Sequence, residues 1–140
     1  MSDIINLNRF IAAQSSTYDK ALEEIQNGRK STHWMWFVFP QIYGLGKSYY
    51  SMRYAIQSRE EAICYLKHPV LGDRLNQITQ AFYALENKTA KEILGSPDDI
   101  KLKSCMTLFN KVQSENTIFI EVLEKYFDGK QYLKTIQRIS

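Results

Sequence analysis

Lys30-Ser31-Thr32-His33-Trp34-Met35-Trp36-Phe37-Val38-Phe39-Pro40-Gln41-Ile42-Tyr43-Gly44-Leu45-Gly46-Lys47-Ser48 decides how this chain is read. The run holds both tryptophans of the chain, one of its two histidines and a glycine-paired turn. Trp34 to Phe39 has the composition of a buried strand. It equally fits a short buried helix, capped by Ser31 or Thr32 and ended by Pro40. The flanking sequence offers few strand partners, so the helix is preferred. Ser48 then reads as the cap of a further helix through Tyr54.

Outward from this run the pattern is helical. Leu7, Phe10, Ile11, Gln14, Tyr18, Ala21, Leu22 and Ile25 recur at three- and four-residue steps, with Asn6 as N-cap and Gly28 as stop. Ser15-Ser16-Thr17 has poor helix propensity and allows two helices here. Ser58–Glu61 and Thr89–Glu92 fit capping boxes, the first helix ending near His68 before Pro69 and the second at Gly95. Leu71, Leu75, Ile78, Phe82 and Leu85 form another stripe. Ser96-Pro97-Asp98-Asp99 reads as cap, first-turn proline and two acids ahead of Leu102, Cys105, Met106, Phe109 and Val112. Asn116 or Thr117 begins a helix that buries Phe119, Val122, Leu123 and Tyr126 and ends at Gly129. Leu133, Ile136 and Ile139 mark a last short one. The expectation is an all-α chain, one compact domain over residues 1–140 with about six to eight helices.

Composition narrows the function classes. At 140 residues the chain buries enough surface to fold without disulfides or a structural metal. Its formal charge of +3 comes without a basic block, so no nucleic-acid signature is present. Cys64 and Cys105 lack CxxC spacing, and His33 and His68 lie far apart, so no metal site is expected. Residues 1–6 lack the basic and apolar regions of a secretion signal, and no apolar run reaches the ~20 residues of a membrane helix. The expected setting is the cytoplasm, with no membrane partner and no cofactor.

Gly46-Lys47-Ser48 resembles the end of a P-loop, but that motif needs glycine where Gln41 stands. What survives is a turn whose Gly44 and Gly46 can present backbone N–H groups to an anion, beside a plain connection between helices. His33 reads as an acid/base group or as a packing residue. Trp34 and Trp36 read as core, or as rings stacked on a flat ligand. Gln14, the polar member of an apolar stripe, either ties its helix to the aromatic segment or points into a pocket. Asp98 and Asp99 form a possible carboxylate pair, although helix initiation accounts for both. Lys101, Lys103 and Ser104 can supply anion contacts.

These residues carry a resemblance to the domain-of-unknown-function 1810 family. It lies in Arg9-Phe10 with Ala13-Gln14, in Gly28-Arg29-Lys30 leading to His33–Gln41, and in Gly44–Ser48. It continues through His68–Gly72 with Arg74-Leu75, Pro97–Leu102 and Ser104–Phe109. The resemblance implies a small, mainly helical domain and no established reaction. The segments Ala90–Gly95 and Lys101–Met106 also resemble the NADAR family, which implies N-glycosidic chemistry on ADP-ribose or phosphorylated ribosyl compounds. The combined expectation is a pocket for a phosphorylated nucleotide or ADP-ribose-like ligand. Trp34 or Trp36 would stack, Lys30 and Gly44–Ser48 with Gly46 and Lys47 would hold phosphate, and Gln14, His33 and Gln41 would fix polar groups. The other expectation is a non-enzymatic module with a protein partner.

Overall fold

The computed structural model describes residues 5–139; Met1–Ile4, part of the stretch read for a secretion signal, and Ser140 lie outside the described residues. The helices are α1 (Asn8–Ser15), α2 (Tyr18–Gln26), α3 (Met35–Val38), α4 (Tyr49–Arg53), α5 (Arg59–Lys67), α6 (Leu71–Tyr83), α7 (Ala90–Leu94), α8 (Asp98–Val112), α9 (Ile118–Phe127) and α10 (Leu133–Ile139). Among the described residues that makes ten helices rather than six to eight. The N-terminal stripe breaks at Ser16-Thr17, and the aromatic run and its neighbours resolve into helices of four or five residues, α3, α4 and α7. Such lengths cannot persist alone and must be held by tertiary contacts. The described β pairing is one isolated parallel bridge between Ile42 and Ile56.

α8 lies against α5, α7, α9 and α10, while α6 packs on α2, α5 and α9, and α1 on α3. A chain of aromatic contacts runs through this interior. Phe10 meets Tyr65 edge-on at 5.1 Å, Tyr65 meets Phe109 at 5.5 Å, and Phe109 meets Phe119 at 5.9 Å. Four helices are thereby joined through rings that are fully buried. The stripes Leu71-Leu75-Ile78-Phe82 and Leu102-Cys105-Met106-Phe109 face inward.

Local expectations hold at several points. Ser48 Oγ accepts from Ser51 N at 3.1 Å and caps α4. Thr89 and Glu92 form the full capping box, and Gly28 ends the N-terminal pair with φ +82°. Others are corrected. The Glu61 carboxylate accepts from the Gln57 amide and the Arg9 guanidinium instead of closing a box on Ser58. Leu7, not Asn6, precedes α1 as its cap residue, although Asn6 Oδ1 still accepts from Asn8 N. Pro97 rather than Ser96 takes the cap position of α8. Leu133 is 70% exposed, and α10 docks instead through Thr135, whose hydroxyl lies 2.8 Å from Ser104 Oγ.

Neither Ser31 nor Thr32 caps α3. Their backbone N–H groups donate to Glu24 Oε1 at 2.8 and 3.0 Å, and Thr32 Oγ1 donates to Oε2 at 2.6 Å. Trp34 Nε1 donates to the same Oε1 at 2.9 Å. Desolvation opposes the Glu24 charge, but these four donors outweigh it and hold the carboxyl down at about 2. The stabilisation from this site is complete above the ordinary carboxyl value and is lost as pH falls toward 2.

Two outcomes follow from this packing. Glu24→Ala leaves the buried Trp34 indole N–H without an acceptor, at about 1–3 kcal/mol, while the exposed Ser31 and Thr32 donors turn to water. In acid denaturation followed by circular dichroism, Glu24→Gln should flatten the decline in stability below about pH 5; a wild-type slope in that variant would refute the role. Separately, a Cβ at Gly72 would collide with the backbone carbonyl of Leu66 at the end of α5. Gly72→Ala should cost about 1–3 kcal/mol and lower the melting temperature by several degrees.

Candidate functional site

Glu24 shapes the loop from α2 to α3, and Lys30 is fixed within it. Its backbone N–H donates to Ile93 O of α7 at 2.7 Å. Its side chain is only 9% exposed and reaches the first turn of α8, where Nζ lies 3.0 Å from Asp98 Oδ2. The other oxygen of Asp98 lies 3.4 Å from Lys101 Nζ, one turn along the same helix. Each ammonium also lies over an indole: Lys30 is 5.4 Å from the Trp34 ring and Lys101 is 5.1 Å from the Trp36 ring. The result is one carboxylate clamped between two cations that are themselves backed by aromatic faces.

The two tryptophans differ in kind. Trp34 is fully buried with its N–H spent on Glu24, so it is a core residue and offers no face to a stacked ligand. Trp36, projected from the single turn of α3, is half-buried. Tyr50 of α4 lies 5.1 Å from it at 42° and is itself 50% exposed. Trp36 and Tyr50 thus form an accessible aromatic shelf beside Lys101 and Asp98.

Of the residues singled out from sequence, Lys30, Trp34, Trp36, Asp98 and Lys101 converge here. Gln14 is 1% exposed, and its amide is spent in the interior: Nε2 donates to Phe37 O at 2.7 Å and to Tyr65 Oη at 3.0 Å. It is the tie between α1 and the aromatic segment. Burial and this network accompany a Tyr65 phenol raised well above its ordinary range by desolvation. His33 stands exposed ahead of α3, and Gln41 is half-buried with its carbonyl accepting from Ile56 N. The Gly44–Ser48 turn is occupied by protein. Gly44, at φ +100°, has the Arg138 guanidinium where a side chain would start, and its carbonyl accepts from Arg138 at 3.3 Å. Gly46 abuts the Ser51 side chain, Ser48 caps α4 and Lys47 is exposed. The turn links α3 to α4 with Arg138 and Ser51 against it.

One participant emerged only with the fold. Glu24, spaced to share a face with Ala21 and Ile25, signals itself only as an acid on an apolar side. Asp98 reads from sequence as half of a carboxylate pair, with helix initiation the preferred account. Among the described residues no group of three or more His, Cys, Asp or Glu is placed to hold a metal ion, and no helix is long and apolar enough to cross a membrane.

None of the curated proteins matches the chain. Among solved structures it is similar to the conserved hypothetical protein Rv1873 from Mycobacterium tuberculosis, determined at 1.38 Å, with 44% identity, a TM-score of 0.96 and 98% of each chain covered. The model of a family described as a protein of unknown function, DUF1810, matches residues 4–139, and this chain belongs to that family.

Proposed function

We propose that this protein binds a phosphorylated nucleotide or ADP-ribose-like compound at the Trp36–Tyr50 shelf and cleaves its N-glycosidic bond. The observation that carries the reading is the Asp98 carboxylate held between Lys30 and Lys101 beside a half-open indole. Stacking on an aromatic ring suits any nucleobase, because every base has a π-face. Each lysine is paired with Asp98 by charge and carries three N–H donors, which suits phosphate oxygens. In the reaction, the bond from the anomeric carbon to nitrogen breaks and its electron pair leaves with the nitrogen. Water supplies the oxygen to that carbon, Asp98 takes one water proton, and the leaving nitrogen gains a proton from solvent.

A second reading has its own support. Tyr43, Tyr49, Tyr50 and Met52 are all more than 40% exposed and lie close in sequence beside the shelf. Such a patch suits a non-enzymatic module with a protein partner, since aromatic side chains are common interface anchors.

Calorimetry and tryptophan fluorescence against ADP-ribose and NAD separate the two. The ligand reading expects heat, and a weakening of about tenfold or more in Trp36→Ala, the 1–3 kcal/mol of one stacked base. Asp98→Asn should keep binding yet abolish release of the base. Absence of heat with both compounds, with fluorescence unmoved, would sink the ligand reading and favour the interaction module.

A further inference from the structure

A second feature lies on the other side of Lys30. A groove of about 490 Å³ runs between the end of α2 and α7, lined by Arg29, Lys30, Lys88, Lys91 and Glu92, with Gly95 at its end. Arg29, Lys88 and Lys91 meet one carboxylate there, Glu92, while Lys30 is already paired with Asp98. Among the described residues only Lys30 of these four is in an ion pair. The Glu92 carboxylate is directed to the Thr89 N–H at 2.8 Å by the capping box. Beside Gly95 the space is open, since a Cβ built there meets nothing within 4 Å.

One of the cations is held in place in advance. Lys88 Nζ donates to Gly28 O at 3.0 Å, across 60 residues of sequence. A side chain at position 28 would bring a Cβ to 2.9 Å from that nitrogen, so the glycine that ends α2 also makes room for the ammonium. One N–H of Lys88 is spent on this bond and two remain. Arg29 and Lys91 are exposed on the same groove. Arg29 brings a planar fork suited to paired phosphate oxygens.

We infer that this groove binds a chain of linked phosphate groups, inorganic or as the tail of a nucleotide. Several cations along one groove match a ligand whose charges are multiple and closely spaced. A single carboxylate would leave part of this charge uncompensated. The inference stands on Arg29, Lys88 and Lys91 and does not require the Trp36 shelf to hold a base.

The test titrates the full chain calorimetrically with inorganic tripolyphosphate, orthophosphate and ATP at low and at physiological salt. Tripolyphosphate should bind at least about tenfold more tightly than orthophosphate, more weakly as salt rises. The double variant Arg29→Gln, Lys91→Gln should lose about tenfold or more while melting at the wild-type temperature, because both side chains are exposed. ATP matching tripolyphosphate identifies the phosphate chain alone as ligand. ATP binding more tightly, with Trp36→Ala removing only that excess, identifies a nucleotide that spans groove and shelf. Equal affinity of wild type and double variant for tripolyphosphate overturns the inference, as does no preference over orthophosphate. So does single-stranded RNA that binds where tripolyphosphate does not. A Trp36→Ala effect confined to ADP-ribose would leave the shelf reading standing even then.

Discussion

The structure turns on one buried carboxylate. Glu24 receives two backbone amides, a hydroxyl and an indole N–H, all from the stretch between Ser31 and Trp34. That stretch has no regular structure of its own, so its amides would otherwise lie without partners near the core. A charged acceptor is the efficient solution, because bonds to an ionised group are shorter and stronger than neutral ones. The same contact sets the indole of Trp34 in the interior and directs Lys30 toward α8. The four-residue helix α3 is then a consequence of where its N-terminal side is tied.

Two further polar hubs distribute the same principle over the short elements. The Arg9 guanidinium donates to the carbonyls of Arg53 and Ala55, and to the Glu61 carboxylate, so α1 secures the link between α4 and α5. Gln14 and Tyr65 fasten α1 to α3 and α5. Helices of four or five residues gain little from their own hydrogen bonds. Here they are held at their ends, by side chains from longer helices that satisfy the carbonyls the short ones leave open. Buried polar groups of this kind also restrict register, since a slipped helix would leave a donor or charge unpaired.

What the sequence made legible follows from this division. Apolar stripes on α6, α8 and α9 repeat over several turns, and their burial could be read directly from spacing. Capping at Thr89 and Ser48 is local chemistry and was legible too. The helix preferred for the aromatic run is present as α3, but its cap was misread, because Ser31 and Thr32 are tied to an acid six residues before Lys30. At the glycine turn, packing adds what spacing could not show: Arg138 from the far end of the chain and Ser51 lie where side chains at positions 44 and 46 would start. Spacing reports what a backbone can do, and only packing decides what already occupies it. The total of six to eight helices fell short of ten although α3, α4 and α7 were each legible as separate segments.

The Asp98 cluster is a composite of three segments, and its charge balance has a direction. Two ammoniums flank one carboxylate, and that carboxylate sits in the first turn of a 15-residue helix whose free N–H groups add partial positive charge. Asp98 therefore serves helix and lysines together and cannot neutralise both. The low exposure of Lys30 limits how much water can make up the difference. Cation–π contact with the two indoles offsets part of it, but a ring quadrupole is no substitute for a counter-ion. The two ammoniums share Asp98 as ion-pair partner next to a half-buried indole, with Asp99 the other acid of that turn. An anion carrying a flat ring suits both ammoniums and indole, whereas a neutral apolar partner would bury these charges and raise their cost. This arrangement supports the ligand proposal over the interaction module at the shelf.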